Sequence, residues 1–61
     1  MQNTLIKVYA YFIDKTTFGI STEKKELTRK KEEVGENKIS YLEEVSLERA
    51  INWINFNRNK N

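Results

Sequence analysis

Basic side chains crowd one short segment, with Lys24, Lys25, Arg29, Lys30 and Lys31 falling within eight positions. Such a run can grip phosphate. Lys7, Tyr9, Tyr11 and Lys15, nearer the N-terminus, would add cations and flat rings that contact a nucleic-acid backbone and its bases. Glu23, Glu26, Glu32 and Glu33 are interleaved with the cluster and nearly cancel it, so a solvated, salt-bridged surface competes with that chemistry. A second constellation lies near the C-terminus. Arg49, Trp53 and Phe56, together with Tyr9 and Tyr11, supply the residue types that dominate protein–protein interface energetics, and they are the candidate partner-binding residues.

Catalytic chemistry is not signalled. The chain has no His and no Cys, so the usual metal, nucleophile and general-base constellations are absent. Glu32–Glu33 and Glu43–Glu44 are sequence neighbours that would point apart in a strand, and Gly19 and Gly35 alone make no phosphate loop. The expectation is a chain that is not an enzyme, with no metal, no cofactor and no small-molecule substrate.

The elements that must position these residues can be read in order. Thr4 to Ile13 is rich in β-branched and aromatic residues and reads as a strand. Ile6, Val8, Ala10 and Phe12 share one face; Leu5, Lys7, Tyr9, Tyr11 and Ile13 share the other. Neither face is the polar one that a half-solvated antiparallel sheet shows, so both need a cover. Asp14 to Thr17 reads as a hairpin turn into a second strand at Phe18 to Ile20. An even loop would place Phe18 and Ile20 with Tyr11 and Ile13, and an odd loop with a bulge would place them with Ala10 and Phe12.

Ser21 to Val34 is charged throughout, with Leu27 and Val34 its only apolar residues. A helix would gain the Glu26–Lys30 pair but set Glu32 and Glu33 at the negative end of its dipole. The favoured reading is a continued strand and a turn at Gly35, followed by a third strand from Lys38 to Glu44. Ser46 then caps a C-terminal helix, with Val45 placed to pack on Ala50. On that helix Leu47, Ala50, Ile51, Ile54 and the stem of Arg58 form the expected core stripe. Trp53 and Phe56 extend the apolar arc to about 220° at 100° per residue, more than one face of a small sheet needs.

The expected fold is α+β: a three-stranded antiparallel sheet, or a hairpin, with one C-terminal helix packed on one face, in the order βββα, as a single domain spanning residues 1–61. In architecture alone this order resembles the small βββα DNA-binding domains at the N-termini of some phage integrases. About 60 residues bury only roughly 60% of their unfolded surface, and without Cys or His the remaining aids to stability are tight packing or a partner. The formal net charge of +2 is a mild bias, not the strong basic excess of dedicated nucleic-acid binders.

The apolar run Leu5 to Ile13, broken by Lys7, is too short to span a bilayer, and the chain reads as cytoplasmic. Abundant Lys, Asn, Glu and Ile without Pro fits AT-rich coding, as in a low-GC bacterium or its phages. The functional expectation is a non-enzymatic protein-binding module, such as a phage or mobile-element regulator that inhibits a host protein. Its partner is then a host or cognate protein, or a second copy in a homodimer. The alternative is a small DNA- or RNA-binding domain using the sheet face and the Lys24–Lys31 cluster.

Overall fold

A computed structural model describes residues 6–60. The elements are β1 (Lys7–Asp14), β2 (Thr17–Ser21), α1 (Lys24–Val34), a short 3-10 turn (Glu36–Lys38), β3 (Ser40–Ser46) and α2 (Leu47–Asn59). The expected strand start at Thr4 and Leu5 lies outside the described residues.

The sheet has three strands in the order β2-β1-β3, with β1 antiparallel to both neighbours. The antiparallel sheet and the C-terminal helix match the expectation. The order βββα holds for those elements, with an additional helix, Lys24–Val34, between β2 and β3 in place of the expected continued strand, so the chain runs ββαβα.

Three features make α1 a helix despite its acidic C-terminal end. Ser21 Oγ accepts a hydrogen bond from the Glu23 N–H at 3.0 Å, turning the chain out of β2. Lys30 pairs with Glu33 at 3.4 Å, and Lys31 approaches Glu36 at 3.9 Å, which draws cations to the carboxylates at the helix end. Gly35 then stops the helix at φ 93, a backbone region that favours glycine. Its N–H donates to the Lys31 carbonyl at 3.0 Å.

The hairpin takes the bulged alternative. Asp14 pairs with Thr17, Phe12 with Phe18 and Ala10 with Ile20, the register shifting between Phe12 and Asp14. Asp14 Oδ1 accepts both the Thr16 N–H and the Thr16 hydroxyl, each at 2.9 Å. These bonds to the charged form, the backbone one foremost, hold its carboxyl below the ordinary range. A second bulge lies in β3: Val8 faces Val45 while Ala10 faces Leu42, and the extra residue falls at Glu43–Glu44, with Glu44 at φ 55. Leu42 and Val45, three apart, thereby share the face of Val8 and Ala10.

On that face α2 packs. Val8, Ala10, Ala50 and Ile54 are buried together, with Phe18, Leu42, Val45 and Trp53 against them. The opposite face, carrying Tyr11, Gly19 and Tyr41 in one row, lies under α1. The second cover that the two-sided strand requires is therefore supplied within the chain, by the segment whose composition gives it least apolar material.

Candidate functional site

Of the candidate partner-binding residues, Tyr9 and Tyr11 are half-buried on the α1 side of the sheet. Lys30 Nζ lies 5.8 Å from the Tyr11 ring centroid, and Lys31 Nζ lies 4.1 Å from that of Tyr41. The lysine stems roof the rings while the ammonium groups reach Glu33, Glu36 and Glu43 at the rim.

The basic cluster is thus divided. Lys25 pairs with Glu23 at 3.5 Å, Lys30 and Lys31 are folded onto tyrosines, and Lys24 and Arg29 stand exposed. Lys7 and Lys15 are exposed on β1 and in the hairpin turn, apart from that cluster. The helix closes the sheet face on which bases would have to stack.

The C-terminal constellation is divided as well. Trp53 packs against the buried cluster, whereas Arg49 is exposed and Phe56 is 67% exposed. The inner arc of α2 is Ala50, Trp53, Ile54 and Asn57, and the Asn57 side-chain amide donates to the Trp53 carbonyl at 2.8 Å. Leu47 and Ile51, expected in the core stripe, are instead 51% and 43% exposed.

The helix is turned by about 60° from the expected phase, at 100° per residue. The reason is where it seats. Val8, Ala10, Leu42 and Val45 place its floor on β1 and β3, and turning the Trp flank inward buries a ring far larger than Leu47 or Ile51 could offer. Among the described residues nothing roofs the β2 side.

There the sequence reading missed a surface. Ile6 (60% exposed), Ile20, Leu47 and Ile51 form a continuous apolar strip running along β2 beside α2. Its wider end is an open groove of about 580 Å³ lined by Ile6, Val8, Ile20, Ser21, Thr22, Ser46 and Leu47, with no charged side chain. The other end is closed by Arg58, whose guanidinium sits 5.1 Å from the Phe18 ring centroid.

A shallow, open strip without convergent polar groups suits a macromolecular surface better than a small ligand. The signal for it was present as the over-wide apolar arc of α2, but the excess lay on the opposite flank. Among the described residues no cluster of three or more acidic or metal-ligating side chains is placed to hold a metal, and no helix is long and apolar enough to cross a membrane. No protein-family model, curated protein or solved structure matches the chain.

Proposed function

We propose that this chain is a non-enzymatic protein-binding module that acts by occupying a partner's surface through the β2–α2 strip. The observation that carries the reading is that strip: Ile6, Ile20, Leu47 and Ile51, contiguous, charge-free up to Arg58 at its far end, and uncovered among the described residues. Large contiguous apolar patches on small proteins mark interaction sites. A regulator or inhibitor that masks a surface needs no more chemistry than this.

The nucleic-acid alternative has less support, because Lys30 and Lys31 are engaged with tyrosines and carboxylates and the sheet face lies under α1. The two readings part under salt: phosphate contacts weaken steeply as ionic strength rises, and an apolar contact does not.

The test compares immobilised chain with its Ile51→Lys variant, with and without nuclease, at low and high salt. Ile51 is exposed on a helix, so the variant keeps the fold. A specific protein is expected to be retained at high salt after nuclease treatment and lost from the variant. Recovery of nucleic acid alone, released by salt, would overturn the reading.

A further inference from the structure

We propose that α1 is a displaceable cover and that the face beneath it is a second, latent site for single-stranded nucleic acid, independent of the β2–α2 strip on the other side of the sheet. The face has the parts that such a ligand needs. Tyr11 and Tyr41 stand opposite one another on β1 and β3, and Tyr9 follows two residues along β1, about 7 Å away at strand spacing. Gly19 lets the Tyr11 ring lie flat. A platform of this kind stacks bases that are free of a duplex, whatever their sequence.

The cover carries the matching charge. At 100° per residue, the half of α1 centred on Leu27 and Val34 holds Lys24, Lys30 and Lys31 against one carboxylate, Glu26. Glu32 and Glu33, which offset these cations in sequence, fall on the outer half. In the closed form each binding group occupies another: Lys30 and Lys31 lie over the rings where bases would stack, and Glu33, Glu36 and Glu43 stand where phosphates would meet the ammonium groups. This contact is autoinhibitory. A single strand relieves it by offering bases to the rings and phosphates to the lysines together.

Little holds α1 down. Leu27 is its buried residue, Glu23 at its N-terminus makes no side-chain cap, and Lys31 reaches Glu36 and Glu43 only at 3.9 and 4.0 Å. Gly35, at φ 93, gives the chain a pivot where the helix ends. The cluster of Val8, Ala10, Ala50 and Ile54 lies on the opposite face and keeps sheet and α2 together when α1 lifts.

The test is fluorescence anisotropy of a labelled oligothymidylate of about ten nucleotides, titrated with the purified chain at low salt. Weak binding by the wild type is expected, falling steeply as salt rises. Its apparent affinity is reduced by the fraction of molecules that are closed, so loosening the cover strengthens binding. Leu27→Ala, which changes no charge, is expected to raise affinity about tenfold where circular dichroism shows it folded. Glu43→Gln, which frees Lys31, is expected to raise it by about two- to fivefold, and Glu48→Gln, the same charge change on the exposed surface of α2, by less than about twofold. Tyr41→Leu also loosens the cover, yet is expected to lower affinity by about fivefold or more through lost stacking. On binding, the α1 amides should lose hydrogen-exchange protection while those of β1 and α2 keep theirs.

No binding by the wild type or by Glu43→Gln, equal gains from Glu43→Gln and Glu48→Gln, or α1 amides that stay protected in the complex would each overturn the proposal. Ile51→Lys, on the other side of the sheet, is expected to leave oligothymidylate binding in place, so this proposal and the strip reading can fail separately.

Discussion

Tyr11 shows how a residue of binding type can be committed to structure. A methyl group built on Gly19 would stand 2.8 Å from Tyr11 Cε2 and 2.9 Å from its Cζ and hydroxyl, so the ring lies flat where β2 has no side chain. The same ring has Lys30 above it and Tyr41 across the ladder, which leaves it little room to yield. Gly19→Ala is therefore expected to cost about 1–3 kcal/mol by overpacking. In a Tyr11→Ala background the obstacle is gone, and the same change should be neutral or stabilise by about 0.5–1 kcal/mol, because Ala loses less backbone entropy than Gly. Denaturant unfolding of the four proteins measures the coupling. Equal costs in both backgrounds would mean that the ring and the glycine do not depend on one another.

At the level of elements, the parts with strong local patterns were legible: β1, the turn at Asp14, the third strand to within two residues, and the Ser46 cap, whose Oγ accepts the Arg49 N–H at 3.1 Å. The segment Lys24–Val34 was not, because Leu27 and Val34 give too little periodicity to outweigh Glu32 and Glu33. Its helix rests on lysine stems lying over tyrosines distant in sequence. The phase of α2 was not legible either. An apolar arc wider than the buried one offers several seatings, and the bulge in β3, which local sequence did not signal, decides among them by placing both Leu42 and Val45 under the helix. Trp53 tests this seating. With Trp53 against the buried cluster, Trp53→Ala should cost about 2–3 kcal/mol, the lower range for a large side chain that is only half-buried. Phe56→Ala, on the exposed side, should leave the melting temperature nearly unchanged. A Trp53→Ala protein as stable as the parent would mean that the helix sits in the other phase.

Taken whole, the molecule is a sheet with unequal covers. On one side α2 contributes Ala50 and Ile54 to a shared apolar cluster; on the other, α1 buries Leu27, with Ile39 the other buried apolar residue outside that cluster among the described residues, and lysine stems over rings and ion pairs at the rim add to its attachment. Such contacts are worth little each and weaken in salt, so the two helices should not open together. Amide hydrogen exchange is expected to show α1 opening at a lower free energy than β1 and α2, with the difference growing at high salt. Leu27→Ala should widen it further, at a cost of about 2–5 kcal/mol, a large share of the roughly 3–9 kcal/mol expected for a chain this size. Loss of α1 would uncover Tyr9, Tyr11 and Tyr41 as one aromatic face, so binding of a hydrophobic dye should rise in step with α1 exchange, before far-ultraviolet circular dichroism reports loss of the sheet. Uniform protection across α1, β1 and α2, unchanged by salt, would mean that the lysine-roofed layer is as firmly held as the apolar one and that the molecule opens only as a unit.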